Sequence, residues 1–204
     1  MLTVKDLTYH HSKRFGINEM NLELPKGEVI SIIGPNGSGK STLLRLIAAL
    51  LQPQNGEIIL DGKNIVSANR KDIAKQLTML PQTHDVTLDF TVRELVEFGR
   101  NPYKRKFAPF SQEDKEIVDW ALALANVKQY EHQHLSSLSG GERQRAWIAM
   151  VLAQSTEYLL LDEPTTFLDI VHQLEILEVV QTINQQYNRT VIMILHDLNQ
   201  AAQY

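Results

Sequence analysis

The sequence predicts an α/β fold with a mostly parallel sheet that is covered by helices. Continuous apolar runs at 29–33, 158–161 and 191–195 have the length and composition of strands. Strands that are apolar throughout, and not only at every second residue, are typical of parallel strands buried on both faces. Helical periodicity follows the first run and separates the other two, so strands and helices alternate.

The first sixty residues predict further, shorter strands. Runs at 3–7, 21–24 and 57–60 are bounded by turn sequences, including Pro25-Lys26-Gly27 and Asp61-Gly62. We expect them to form an N-terminal antiparallel β portion.

A helical insertion is expected in the middle of the chain, where the strand signal disappears between residues 91 and 153. The pattern Thr91-Val92-Arg93-Glu94 is a capping box that begins a helix ending at Gly99. A second helix over 111–126 has one apolar face, which favours core packing for Ile117, Trp120, Ala121 and Leu124. A third helix is expected over 143–153.

A longer helix over 170–187 has apolar residues at steps of three and four, namely Ile170, Leu174, Leu177, Val180 and Ile183.

A chain of 204 residues has the length of one domain, and we expect one domain over 1–204. Its core comprises 1–86 and 156–204, and its helical subdomain spans about 87–155.

Composition narrows the class of protein. The chain has 204 residues and no cysteine, which excludes disulfides and thiolate sites and fits a reducing compartment. No stretch approaches the ~18 apolar residues of a membrane span, and there is no basic leader, so we expect any membrane role to be peripheral. A net charge of −4 argues against nucleic acid as a partner.

A phosphate-binding loop follows the first buried strand directly. It matches the pattern G-x-x-x-x-G-K-[ST] and comprises Gly34, Pro35, Asn36, Gly37, Ser38, Gly39, Lys40, Ser41 and Thr42. Its glycines let backbone N–H groups turn toward phosphates, Lys40 reaches the β- and γ-phosphates, and the Ser41 hydroxyl coordinates Mg²⁺. A plain glycine turn is the alternative, but the strand before the loop and the helix after it favour nucleoside triphosphate binding.

Two adjacent carboxylates, Asp162 and Glu163, follow the second buried strand. We expect Asp162 to belong to the Mg²⁺ shell and Glu163 to orient or deprotonate the attacking water. The alternative is a solvated strand end in which Glu163 merely precedes Pro164 in a turn.

A second glycine-rich helix start lies at 138–144. Ser139 and Glu142 form a capping box, which would by itself explain both residues. It does not explain Gly140 and Gly141, which leave the helix N-terminus bare and open to an anion. The chain thus has two predicted phosphate-binding helix ends.

These motifs, in this order, resemble the ATP-binding cassette (ABC) ATPases. The resemblance covers essentially the whole chain and rests on the phosphate loop, Gln82, Leu138-Ser139-Gly140-Gly141-Glu142, Leu159 to Pro164, Leu168-Asp169 and His196. It implies that two such domains pair head to tail, as a homodimer or with a related domain, so that Ser139 and Gly141 contact the γ-phosphate held by the partner's Lys40.

The resemblance also implies roles for three single residues. Gln82 senses Mg²⁺ and water, Asp169 makes a contact across the dimer, and His196 clamps the γ-phosphate. Without the resemblance, Gln82 would be an ordinary loop residue and His196 a structural histidine. The remaining histidines lack the spacing of a metal site.

The chain departs from the family pattern at two places. The aromatic residue that stacks on adenine is replaced by His11, with Tyr9 two residues earlier. The sequence also stops at Tyr204, inside the helix expected after His196, where relatives continue. We expect either that the chain is a fragment or that the remainder is not represented.

A finer resemblance links 145–150, 164–173 and 195–202 to the ATPase subunits of iron(III)-siderophore importers, a group close to haem and cobalamin importers. It implies ATP and Mg²⁺ as cofactors, a membrane permease as direct partner, a solute-binding protein as indirect partner, and a location at the cytoplasmic face of the membrane. Import of haem, cobalamin or a metal ion stays open, as do an exporter cassette and a soluble ABC protein that acts on ribosomes or DNA.

The permease contact is expected between Gln82 and Phe110. There the sequence alternates apolar with basic residues, and we expect Arg100, Lys104, Arg105 and Lys106 to be exposed around Tyr103 and Phe107. A solvated connecting loop is the alternative.

Overall fold

The computed structural model describes residues 1–12, 15–82, 90–104 and 109–196. Its strands form two four-stranded sheets, with orders β2-β1-β4-β5 and β3-β8-β7-β6. The strands are β1 (Leu2–Ser12), β2 (Phe15–Leu24), β3 (Val29–Ile32), β4 (Asn55–Leu60), β5 (Lys63–Asn64), β6 (Leu77–Leu80), β7 (Tyr158–Leu161) and β8 (Thr190–Ile194).

The first sheet is antiparallel and the second is parallel at all three of its pairings. The helices are α1 (Lys40–Ile47), α2 (Arg70–Ile73), α3 (Val92–Phe98), α4 (Gln112–Leu124), α5 (Gly140–Ala153) and α6 (Ile170–Tyr187), with two 3₁₀ turns at Lys128–Tyr130 and Leu135–Ser137. The α/β fold predicted from the sequence is confirmed, with its parallel sheet, antiparallel β portion and inserted helices. The boundaries at 87 and 155 stay predictions.

The parallel sheet separates two apolar cores, as its continuous apolar strands predict. Along β7, Leu159 and Leu161 join the core formed with α3 to α6, whereas Tyr158 and Leu160 join the core beneath the antiparallel sheet and α1. All four side chains are buried. Each face of this strand is therefore covered, so apolar residues are needed at every position.

The first two strands are longer than the sequence predicts. Irregularities interrupt the register between Val4 and Tyr9, and Asp6 and Glu19 have positive φ angles of 48° and 44°. Because a bulge shifts the alternation of inward and outward side chains, the period-two pattern breaks although the strand continues.

The apolar stripe of α6 lies only partly in the core. Leu177, Val180 and Ile183 are buried, but Ile170 is 71% and Leu174 is 42% exposed. The first turns of α6 lie beyond the core, so their apolar side chains face solvent in the single chain.

Trp120 packs against the helical core but is not fully buried. Its indole Nε1 donates to the Tyr187 hydroxyl at 2.8 Å, which ties α4 to the end of α6. Within the described ranges, no helix combines the length and apolar character needed to cross a membrane.

Candidate functional site

The loop between β3 and α1 leaves a helix N-terminus open. Gly37 and Gly39 have φ angles of 78° and 95°, a left-handed conformation that favours glycine. Gly39 is the N-cap of α1. Because glycine has no side chain that could accept hydrogen bonds, the first N–H groups of the helix stay available for an anion.

Lys40 curls over the loop that precedes it. Its Nζ donates to the carbonyl oxygens of Gly34 at 2.9 Å and Pro35 at 3.0 Å, and the residue is only 9% exposed. The ammonium is thereby held at the centre of the loop, where phosphates would lie.

Asp162 directly follows β7 and contacts the first turn of α1. The Ser41 hydroxyl donates to its Oδ1 at 2.9 Å, while Oδ2 is buried and has no hydrogen-bond partner. Burial raises the pKa of Asp162, and the neighbouring Glu163 charge raises it further, against the lowering effect of the Ser41 hydrogen bond. A buried carboxylate with a free oxygen beside a serine hydroxyl is suited to binding a cation.

Glu163 is held from several sides. Its Oε2 accepts from Gln82 Nε2 at 2.5 Å and from the Thr166 hydroxyl at 3.1 Å. His196 Nε2 lies 2.6 Å from its Oε1, and the Glu163 side chain is 9% exposed. The structure thus brings together Gln82, Glu163 and His196, although Gln82 lies 81 residues before Glu163 in the sequence.

A cavity of about 440 Å³ joins these groups to the phosphate loop. Its described lining comprises Asn36, Gly37, Gly39, Lys40, Ser41, Thr42, Gln82, Glu163, Thr166, Phe167 and His196. Sequence reasoning missed Thr166; its position three residues after Glu163, in a turn begun by Pro164, was the available signal.

Ser139, Gly140, Gly141 and Asp169 do not belong to that described lining. Ser139 is the N-cap of α5 and Asp169 the N-cap of α6, and both are exposed. The structure therefore does not bring the second glycine-rich helix end to the phosphate loop of the same chain.

The capping box at the start of α5 is formed as predicted. Ser139 N donates to Glu142 Oε2 at 2.9 Å, and the Ser139 hydroxyl donates to the same oxygen at 2.7 Å. Hydrogen bonds from Tyr130 and Ser139 lower the pKa of Glu142 to about 2. A Cβ added to Gly140 would meet nothing within 4 Å, so this helix start is open to a ligand.

The two candidates for adenine stacking differ in their surroundings. Tyr9 is partly buried against the core beneath the antiparallel sheet, whereas His11 is exposed near the end of β1. Neither lines the described cavity, so adenine stacking by either residue stays a prediction.

One expectation about the basic segment is wrong. Arg100 is 5% exposed and not on the surface, because its Nε donates to Asp114 at 2.8 Å and its guanidinium donates to the Ala153 carbonyl at 2.9 Å. Tyr103 stacks against this guanidinium at 4.1 Å. Lys104 lies 3.7 Å from the centre of the Phe110 ring, and Arg105, Lys106 and Phe107 lie outside the described residues.

Comparison with known proteins identifies the arrangement. The family described as ABC transporter matches residues 17–166. The chain is 60% identical to the petrobactin import ATP-binding protein FpuC of Bacillus anthracis, over 100% of this chain and 75% of that protein. It is 44% identical to the iron(3+)-hydroxamate import ATP-binding protein FhuC of Bacillus subtilis, over 100% of this chain and 76% of that protein.

A solved structure shows the same fold. The dimeric post-hydrolysis state of the ATP-binding cassette MJ0796, bound to ADP and Pi, superimposes with a TM-score of 0.84 at 29% identity and covers 98% of this chain and 90% of that one. Together with the geometry of the phosphate loop and the Gln82, Glu163 and His196 cluster, these similarities show that the chain belongs to the ATP-binding proteins of ABC transporters, the ATPases that power transport.

Proposed function

We propose that this chain is the ATP-hydrolysing subunit that drives uptake of a ferric siderophore through a membrane permease. The observation that carries the chemistry is the convergence of Gln82, Glu163 and His196 on the cavity that contains Lys40 and Ser41. The siderophore assignment rests on similarity to proteins named for petrobactin and iron-hydroxamate import.

Ser41, Asp162 and Gln82 would hold Mg²⁺ beside the phosphates. The unpartnered, buried Oδ2 of Asp162 fits such an ion, because a cation would compensate a carboxylate oxygen that has no hydrogen bond. When bound, the ion neutralises charge that develops on the phosphate oxygens. The role of Lys40 is to bind the same oxygens as a point charge.

Glu163 is proposed as the general base. Its oxygens are oriented by Gln82, Thr166 and His196, and it shares the cavity with Lys40, so it could take a proton from a water that attacks the phosphate bound by Lys40. His196 would hold the γ-phosphate, and Gln82 would report the presence of Mg²⁺ and water.

Ser139, Gly140, Gly141 and Asp169 are proposed to act on a second subunit. They lie outside the described lining of the cavity in their own chain. Ser139 and Gly140 are exposed at a helix start suited to an anion, and Asp169 is exposed at the start of α6. The apolar side chains of Phe167, Ile170 and Val171 are also exposed beside them, at 94%, 71% and 60%. The dimeric state of the similar cassette MJ0796 supports the pairing of two such chains.

The permease is proposed to contact the region between Gln82 and Phe110, at the cytoplasmic face of the membrane. Phe90, Phe98 and Phe110 line a pocket of about 200 Å³ there, together with Glu97 and Lys104. Phe98 is 43% exposed, and burial raises the pKa of Glu97. This mixture of aromatic and charged groups suits a partner segment better than solvent. The solute-binding protein would act through the permease.

An uptake assay tests the function. The chain and its permease are reconstituted in vesicles, and ATP-dependent accumulation is measured in separate experiments for a ferric siderophore, for haem and for cobalamin, each followed by its own label. We expect accumulation with the ferric siderophore; transport of haem or cobalamin in its place would overturn the substrate assignment.

The permease contact is tested in the same vesicles. Lys104→Glu should abolish uptake and the stimulation of hydrolysis by the permease, while basal hydrolysis by the isolated chain stays nearly unchanged. The exposed Lys63 on β5 offers the matched control, Lys63→Glu. If the two reversals behave alike, this segment is a connecting loop.

A further inference from the structure

His172 packs directly against a glycine of the second helix start. A Cβ built on Gly141 would lie 2.4 Å from Cδ2 and 2.5 Å from Cγ of the His172 ring, closer than real contacts allow. Gly141 is in the first turn of α5 and His172 is in the first turn of α6. The two helix starts therefore meet through an imidazole ring and a glycine with no side chain.

The imidazole ring is anchored to both helices. Its Nδ1 lies 3.0 Å from Glu175 Oε2 and 3.2 Å from a guanidinium nitrogen of Arg145. Arg145 belongs to α5, its side chain is 6% exposed, and it pairs with Glu175 of α6. An imidazole held by a half-buried ion pair cannot turn away freely, so the ring fixes the spacing between the two helix starts.

The anchored ring also connects to the N-cap of α6. The backbone N–H of His172 donates to Asp169 Oδ1 at 3.0 Å, and the other oxygen of this carboxylate lies 3.9 Å from His172 Nε2. Gln144 adds a second link, because its side chain donates to the Pro164 carbonyl at 3.0 Å. The start of α5 is thus tied to the segment that carries both Glu163 and Asp169.

We infer that His172 is a positioning residue that holds two groups as one rigid surface toward the second subunit: Ser139 to Gly141, which face the phosphates bound there, and Asp169, which contacts that subunit. The inference rests on the proposed pairing, in which these residues act on the partner's ATP. The inference has a consequence for the two ATP sites of the dimer. Loss of the His172 ring in one chain should impair the site that this chain completes with its Ser139, where Lys40 comes from the other chain. It should spare the site in which this chain supplies Lys40.

Heterodimers with the same substitutions in two arrangements test this consequence. All chains carry Glu163→Gln so that bound ATP is not consumed, and the two chains are purified by different affinity tags. In the separated arrangement, one chain carries Lys40→Ala and the other carries His172→Ala. In the combined arrangement, one chain carries both changes and the other carries neither.

Each heterodimer keeps a single competent phosphate loop. In the separated arrangement this loop faces the α5 start of the chain with an intact His172, whereas in the combined arrangement it faces the altered chain. We expect the separated heterodimer to retain radiolabelled Mg-ATP after gel filtration and the combined one to retain at least about tenfold less, since small misplacements of a binding group are costly. Equal retention in both arrangements, or less in the separated one, overturns the inference.

A further set of heterodimers distinguishes the possible failures. Ser139→Arg in the same two arrangements tests the pairing itself: if it shows no difference, the proposed composite site fails and the inference fails with it. If Ser139→Arg shows the difference and His172→Ala does not, only the inference about His172 fails.

His132→Ala, at a side chain that is 84% exposed, is the matched histidine control and should show no difference. His172→Gln serves if His172→Ala lowers the melting temperature strongly, because its amide still offers a donor and an acceptor to Glu175 and Arg145. It should show the same difference between arrangements to a smaller extent, and no difference would overturn the inference.

Discussion

Asp162→Asn should stabilise the metal-free chain while removing its response to Mg-ATP. Asp162 is 1% exposed and its Oδ2 has no partner, which is an unfavourable state for a carboxylate. Leaving a buried charged group unsatisfied costs ~1–3 kcal/mol or more. Asparagine removes the charge and keeps an oxygen for the Ser41 hydroxyl, but its NH₂ group also lacks a partner, so we expect a gain of about 1–2 kcal/mol.

The size of the effect is measurable by urea and thermal unfolding in the presence of EDTA. For a chain of this length, a gain of about 1–2 kcal/mol raises the melting temperature by roughly 2–8 °C. Asp72→Asn, at an exposed carboxylate on α2, is the matched control and should change little. Mg-ATP at a hundred times its Kd should add about 2.7 kcal/mol to the wild type and far less to Asp162→Asn.

The pH dependence has a definite sign. Because burial raises the pKa of Asp162 in the folded chain, its favourable contribution is complete below the unfolded pKa of about 3.9 and is lost as the pH rises through the folded pKa. The gain from Asp162→Asn should therefore be present at pH 7 and absent below about pH 4. If Asp162→Asn destabilises the metal-free chain at pH 7, or if Mg-ATP stabilises both proteins equally, the cation-binding role of Asp162 is refuted.

Two further expectations concern α5. Gly141→Ala should lower the free energy of unfolding by about 1–3 kcal/mol when the His172 ring is present, and by much less in a His172→Ala background. A double-mutant cycle by urea unfolding measures the difference. Additive effects of the two substitutions would contradict the contact between Gly141 and His172. Glu142 has a pKa of about 2 when folded, so its contribution to stability is present above the unfolded pKa of about 4.3 and is lost as the pH falls toward 2. Glu142→Gln should flatten the stability profile in that interval, which unfolding at a series of pH values detects. An unchanged slope would contradict the stabilisation of the Glu142 carboxylate by Tyr130 and Ser139.

Local patterns predicted those parts of the structure that depend on local interactions. The capping boxes at Thr91 and Ser139 require only residues three positions apart, and both are formed. The continuous apolar runs of β7 and β8 require only that both faces of the sheet be covered, and they are.

Features that depend on distant partners could not be read from residue types. Arg100 looks like an exposed basic residue until α4 packs beside it and supplies Asp114. The contact between His172 and Gly141 is likewise invisible in the sequence, because it arises where two helix starts meet. Gln82 and His196 were predicted only through the family resemblance; their positions on either side of Glu163 are set by the order of strands in the parallel sheet.

Steady-state ATP hydrolysis by Glu163→Gln is the most direct test of the proposed chemistry. The amide keeps the shape of the carboxylate but cannot accept a proton from water, so hydrolysis should fall by ~10²–10⁴-fold while ATP stays bound. Lys40→Ala, measured in parallel, should instead lose ATP binding. Hydrolysis by Glu163→Gln within a few-fold of the wild-type rate would contradict the assignment of Glu163 as the general base.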